Sequence, residues 1–382
     1  MTASAWFFAR ARLAGERVAL VDGTGSPPLW GSSPGKWPSY TYRALAERAL
    51  RLAVLLKERG IGKGDRIALL SQNHVAYVDL LLAAASLGAI LVPFNIRLPE
   101  GELRPLQEDA APALLFYHPD LAALAAHLPG EKISLGDHYE EDLSRVPRER
   151  AKALEEALFK GEMGAGLEDP WLILYTGGTT GVPKGALIPH RQVIFNAINT
   201  TGSWELTSED AAPVFTPLFH TGGLHVFLTP LLHSGGKLVL GGAFQPEKAV
   251  ELTREEGLTL FFAVPTMYQL LLDEPSFRKA NLQTVRWFIS GGAPCPLPIY
   301  EAFAAQGLLF KEGYGLTEAG PNNFALPLEK LTEKRGSVGL PVLHARAKVV
   351  DDTGQDLPPG AVGELLLGGP HLFSGYWQKE EE

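Results

Sequence analysis

Short apolar runs of strand length recur between segments of helical periodicity, and this alternation constrains the fold more than any other feature. Thr41 stands where a helix cap is needed, ahead of apolar positions Leu45, Ala49, Leu52 and Leu56, and Gly60 stops the pattern. The turn Gly62-Lys63-Gly64-Asp65 leads into residues 66–70, which read as a buried strand. A helix over about 75–87 runs into a strand at 90–92, and residues 113–117 form a third strand. Strands separated by helices imply crossover connections, and therefore parallel sheets.

The segment 143–166 is charged, then glycine-rich, and reads as a helix plus linker. A second region with the same texture follows: strands at 171–175, 237–240 and 258–263, and a helix after His190. From about Gly336 the pattern shortens to strands at 346–350 and 363–367, separated by Asp352-Thr353-Gly354 and Pro358-Pro359-Gly360 turns. The expected fold class is α/β: two αβ subdomains with mainly parallel sheets, 1–165 and 166–335, packed together with a small β subdomain, 336–382. A chain of 382 residues is long for one core, which agrees with several packed units.

Composition narrows the function classes. The chain is 46% hydrophobic and 20% charged, as in a soluble globular protein. Its net charge of −9 argues against nucleic acid as a partner. Cys295 is the single cysteine, so an internal disulfide and a cysteine metal site are both excluded. The apolar run 80–92 is too short to span a membrane and reads as a core helix entering a strand. A cytoplasmic location is expected.

Tyr175-Thr176-Gly177-Gly178-Thr179-Thr180-Gly181-Val182-Pro183-Lys184-Gly185 directly follows an apolar strand. Three glycines within five residues let backbone amides converge into an anion nest. Three threonines add hydroxyl donors, and Lys184 adds positive charge. Together they suit a polyphosphate. The common nucleotide loop is excluded because Pro183 precedes the lysine and residues 185–188 read as a strand. The glycine spacing also fails the dinucleotide fingerprint.

This segment closely resembles the signature loop of the adenylate-forming superfamily, the AMP-binding enzymes that include acyl-CoA synthetases, luciferases and peptide-synthetase adenylation domains. That loop normally carries serine where this chain has Gly177, which removes one hydroxyl donor. The resemblance implies that Thr176, Gly177, Gly178, Thr179, Thr180, Gly181 and Lys184 bind ATP, with Thr179, Thr180 and Lys184 on the β- and γ-phosphates. Pro217-Leu218-Phe219-His220-Thr221-Gly222-Gly223 resembles the family motif beside the acyl pocket and makes His220 the gate between acid and thiol channels. A lone histidine in an apolar stretch is more often a satisfied core residue; its place after the phosphate loop decides for function.

Ser290-Gly291-Gly292-Ala293-Pro294 resembles the adenine-binding turn, and the adjacent Cys295 is read as structural. Glu312-Gly313-Tyr314-Gly315-Leu316-Thr317-Glu318 is the second strong match. By resemblance Tyr314 stacks on adenine, Thr317 contacts the α-phosphate and Glu318 holds magnesium. The chemistry is sensible alone, since a hard carboxylate oxygen suits a hard cation. Gly336-Ser337-Val338-Gly339-Leu340-Pro341, Gly363-Glu364-Leu365, Gly369-Pro370 and Ser374-Gly375-Tyr376-Trp377 match later family motifs in order and are read mainly as scaffold.

The resemblance implies an acyl-CoA synthetase: ATP and magnesium activate a carboxylic acid to an acyl-adenylate, and CoA then displaces AMP. Lys184, Thr317, Glu318 and His220 carry the chemistry, and the cofactor-binding set adds Gly291, Gly292, Ala293, Pro294, Glu312, Gly313, Tyr314 and Gly315. The small or apolar stretches 221–232 and 319–324 favour a fatty or aromatic acid. The family's ribose-binding Thr-Gly-Asp segment and its mobile C-terminal domain, with an adenylation lysine, lie outside the sequence. The expectation is therefore the large N-terminal part of such an enzyme, incomplete alone. Three alternatives stay open: an adenylating domain for another acid class, a luciferase-like use, and a non-enzymatic chain that binds nucleotide or acyl-adenylate or serves as one half of a split enzyme. His220 stands where amino-acid-adenylating domains normally carry aspartate, which disfavours that class. A homodimer is left open.

Overall fold

A computed structural model describes residues 3–177 and 183–379. Its largest sheet has six strands in the order Glu131–Ser134, Leu114–Tyr117, Arg66–Leu70, Ile90–Pro93, Pro170–Thr176 and Lys184–Pro189. All neighbours are parallel except the last pair, which forms an antiparallel hairpin. The central strands read as continuous apolar runs because both faces are covered. Ile67 and Leu69 pack into the main core on one side, and Ala68 and Leu70 into a second core on the other.

The helix Tyr42–Glu58 begins where the sequence places it, with Thr41 Oγ1 accepting from Ala44 N at 3.1 Å. The helix Ala76–Leu87 is buried on every side and ends at Gly88, whose φ of +69° needs no side chain to accommodate. It then enters the strand Ile90–Pro93, so the apolar run 80–92 is core. Arg48 and Asp79 form a fully buried ion pair, 2.7 Å apart, that ties these two helices together. Among the described residues no helix is long and apolar enough to cross a membrane.

A second sheet runs Ser39–Thr41, Val18–Asp22, Lys237–Leu240 and Ala211–Val214; a third, fully parallel, runs Leu260–Ala263, Trp287–Ser290 and Phe310–Glu312. The two abut where Thr259 N donates to Ala211 O at 2.9 Å. Small antiparallel pairs, Phe324–Ala325 with Leu340–Pro341 and Arg346–Val350 with Glu364–Gly368, complete the chain. Segments from either side of residue 165 interleave. Val18–Asp22 pairs with Lys237–Leu240, and Pro170–Thr176 pairs with Ile90–Pro93. A strand's place depends on which apolar faces it covers, and position along the chain does not decide that.

Candidate active site

The phosphate-loop candidate sits at the tip of the hairpin between Pro170–Thr176 and Lys184–Pro189, where Thr176 pairs with Lys184. Gly178, Thr179, Thr180 and Gly181 lie outside the described residues. Thr176 and Gly177 stand at the carboxyl end of a parallel strand, the edge at which open αβ sheets bind ligands. The strands Trp287–Ser290 and Phe310–Glu312 end in the same way, in the Gly291 turn and the Gly313 turn.

Those two turns are joined directly, because Gly313 N donates to Ser290 O at 2.8 Å. Gly292 has φ +82°, a conformation that favours glycine. Gly315 lies so near Pro321 that a Cβ there would sit 2.3 Å from its backbone. With the His220 loop, the turns wall a cavity of about 430 Å³. Its lining includes His220, Gly291, Gly292, Gly313, Gly315 and Thr317, so three separately recognised motifs converge on one space. Ala293, Pro294, Glu312, Tyr314, Glu318 and Lys184 are outside this wall.

Each of these outer residues has its own setting. Tyr314 is 42% exposed, and its ring makes an edge contact with Phe324 at 5.9 Å. The Glu312 carboxylate accepts from Cys295 N at 3.0 Å and from Tyr300 Oη at 2.6 Å. It therefore braces the turn at Gly291 to Pro294. Burial, with Glu312 nearby, raises the Cys295 thiol above its ordinary range, which keeps it protonated and suits a structural role. His220 is held below the usual histidine range by lost hydration and then by Arg97, so its imidazole is neutral at pH 7.

Lys184 and Glu318 are linked through Tyr376. The segment containing Tyr376 adds to the edge strand: Ala186 bridges Tyr376, and Trp377 N donates to Gly185 O at 2.7 Å. The Tyr376 hydroxyl donates to Glu318 Oε1 at 2.8 Å, and its ring lies 5.4 Å from Lys184 Nζ. Thr317 is held by Gln192, whose Nε2 donates to its carbonyl at 2.9 Å.

The loop before His220 hangs on one buried side chain. Asn73 Nδ2 reaches the carbonyls of Val214, Thr216 and Gly241 at 3.1–3.3 Å, and its Oδ1 accepts from Leu218 N at 2.9 Å. After His220 the helix widens to a π-turn at Leu224–Leu228. Its freed carbonyls are served by Asn196, bonded to His225 O at 2.7 Å, and by Asn322, bonded to Val226 O at 3.1 Å.

A family model described as "AMP-binding enzyme" matches residues 7–377. The chain belongs to the AMP-binding enzyme family. Among curated relatives of this AMP-binding enzyme, a feruloyl-CoA synthase from Amycolatopsis sp is 36% identical over 341 residues, covering 89% of the chain and 67% of the relative. A long-chain-fatty-acid–CoA ligase from Thermus thermophilus is 31% identical, covering 89% of the chain and 65% of the relative. The chain thus spans about two thirds of the length of these relatives. The N-terminal domain of FACL13 from Mycobacterium tuberculosis, solved with an inhibitor, superposes with a TM-score of 0.87 at 26% identity over 100% of this chain and 92% of that one. Apo MatB from Rhodopseudomonas palustris gives 0.81 at 28% identity over 100% and 73%. The α/β class expected from the sequence is thereby shown.

Sequence reading missed Asn73, Gln192 and Asn196, placed Asn322 only within the pocket stretch 319–324, and took Tyr376 as scaffold. Buried polar residues carry no periodic signal. A partial cue existed for Asn322, which follows four residues after Glu318.

Proposed function

We propose that this AMP-binding enzyme activates a carboxylic acid with ATP, and that in the whole enzyme the acyl group passes to CoA. The observation that carries the reading is the convergence of the His220 loop, the Gly291 turn and Thr317 on one cavity of about 430 Å³. In this reading the acid lies in the cavity with its carboxylate toward Thr317. Its oxygen attacks the α-phosphorus of ATP, and the bond from that phosphorus to pyrophosphate breaks. The protein's part is alignment and charge neutralisation, without a covalent intermediate. Lys184, with Thr176 and the rest of its loop, takes the β- and γ-phosphates; Tyr314 covers adenine; neutral His220 gates the route to the thiol.

Magnesium fits the residues present. Among the described residues no cluster of three or more His, Cys, Asp or Glu side chains could hold a metal alone. Magnesium characteristically takes one or two carboxylates together with substrate phosphates and water, and Glu318, held by Tyr376, offers one such oxygen. Bound there, the ion would neutralise phosphate charge. We place the protein in the cytoplasm.

The lining residues Val226, Phe262, Val264 and Ile289 are apolar, which supports a fatty or aromatic acid. Relatives named for feruloyl-CoA, indoleacetate and long-chain fatty acids point the same way. The test is a panel of acids scored by pyrophosphate release with ATP and magnesium, run on the chain with a relative's C-terminal domain supplied. Release that does not depend on any acid overturns the reading.

A further inference from the structure

Trp204 follows the helix His190–Ser203 directly and is 4% exposed. It stands in the wall of the cavity that also holds His220 and Thr317. Its indole is held on several sides. Nε1 donates to Phe324 O at 3.1 Å. The ring meets Trp287 edge-on at 5.6 Å and Phe227 at 6.1 Å, and the Lys311 ammonium lies 4.6 Å from its centre. Turning the indole aside would break a buried hydrogen bond and these ring contacts together, so its place is fixed.

The strand Trp287–Ser290 shows where along the cavity the indole stands. Its carboxyl end enters the Gly291 turn, and Gly291, Ser290 and Ile289 all line the cavity. Alternate residues of a strand share a face, and Trp287 and Ile289 lie in the main core while Phe288 lies in another. Trp287 is therefore on the Ile289 face, roughly 10 Å back from Ser290 at about 3.3 Å per residue. It does not line the cavity; the Trp204 indole packed against it does. With the reacting carboxylate at Thr317, beside the Gly291 and Gly313 turns, Trp204 stands at the opposite end. Beyond the indole lies a second cavity, of about 280 Å³, whose wall includes Trp204, Trp287, Lys311 and Leu328. Leu328 is 39% exposed, so this second space reaches the surface. Among the described residues Trp204 alone stands in both walls.

We propose that Trp204 determines specificity by closing the end of the acid cavity remote from the reacting carboxylate, so that an acid of aryl size is accepted and a long unbranched chain is refused. This rests on the acid-activating reading above and narrows its substrate class. A cavity of about 430 Å³ is near the lower end of the roughly 300–1,000 Å³ usual for ligand pockets, and the nucleotide turns share its wall. A close-packed wall does not admit extra methylenes without strain. Removing the indole would join the two spaces and give a long chain a way out to the surface.

The test uses two non-hydrolysable adenylates, the 5′-sulfamoyladenosine derivatives of cinnamic and dodecanoic acid, titrated calorimetrically into the wild-type chain and Trp204→Ala. The wild-type chain is expected to prefer the cinnamoyl ligand by about tenfold or more, and Trp204→Ala to shift the ratio at least tenfold toward the dodecanoyl ligand. A purely structural tryptophan leaves the ratio unchanged while both affinities move together, and that outcome overturns the proposal. Equal affinity of the wild-type chain for the pair, or a preference for the long chain, overturns it as well, whatever the variant does. Should Trp204→Ala fail to fold, Trp204→Leu keeps an apolar side chain among the rings; a shift in the same direction supports the proposal and an unchanged ratio overturns it. If neither adenylate binds the wild-type chain while ATP does, the acid-activating reading itself fails, which is a distinct result.

Discussion

The Tyr376 hydroxyl donates to the Glu318 carboxylate at 2.8 Å, joining residues 58 positions apart in the chain. The tyrosine ring also lies 5.4 Å from the Lys184 ammonium, so one side chain connects the cationic and the anionic sides of the proposed phosphate site. Tyr376→Phe keeps the ring and deletes the bond. Affinity for ATP with magnesium should fall by about 1.5 kcal/mol, roughly tenfold. Calorimetric titration measures it, and an unchanged affinity assigns Tyr376 to scaffold alone.

Glu318→Gln keeps size and an oxygen but loses the charge that favours a hard divalent ion. Nucleotide binding should weaken more with magnesium present than with the metal chelated. Equal losses under both conditions would remove Glu318 from the metal.

Lys184→Ala should weaken ATP binding by about 1.5–3 kcal/mol, the range for a hydrogen bond to a charged group. Lys184 begins an edge strand and is not fully buried, so the thermal midpoint should move little. A large fall in stability with intact affinity would invert the assignment.

Asn73→Ala removes four hydrogen bonds from the buried approach to His220. Unpaired carbonyls and one unpaired N–H remain inside, and stability should drop by about 2–3 kcal/mol in urea unfolding. A loss no larger than that of an ordinary surface substitution would show that water replaces the amide.

Burial pushes His74 and His225 down to about 3 and His190 to about 4. All three are neutral when folded at pH 7, whereas unfolded histidine titrates near 6.5. Between those values the unfolded chain binds more protons, so stability is fully present above about 6.5 and is lost as pH falls toward the folded values. The loss should be on the order of 1 kcal/mol per histidine by pH 5.5. His225→Gln should flatten the pH 7 to 5.5 stability profile by about that amount. Identical slopes in wild type and variant would mean that His225 takes up a proton in the folded state.

Local patterns carried most of what could be read without coordinates. Strand bounds such as Arg66–Leu70 and Lys237–Leu240 coincide with their apolar runs, since a strand buried on both faces needs nothing more than a short continuous run. Thr41 capped the helix the spacing called for, because capping involves neighbours three residues apart. The glycine and threonine motifs were legible for the same reason: a turn that approaches a ligand is specified by a few consecutive residues. Glu312 shows the limit. That its carboxylate accepts from Cys295 N and Tyr300 Oη, and so braces the Gly291 turn, was not legible in its motif.

The sequence by itself therefore determined the α/β class and the family, and it picked out the segments proposed to meet a nucleotide, because each rests on periodicity or on contiguous residues. Tertiary structure alone decided that Val18–Asp22 joins the sheet of Lys237–Leu240, that Asn73 suspends the His220 loop, that Tyr376 reaches Glu318, and that Lys311 lies against Trp287. Those relationships are single contacts between residues far apart in the chain. A contact of that kind repeats with no period and follows no spacing rule; it exists only after the sheets have packed and brought its two ends within a few ångströms.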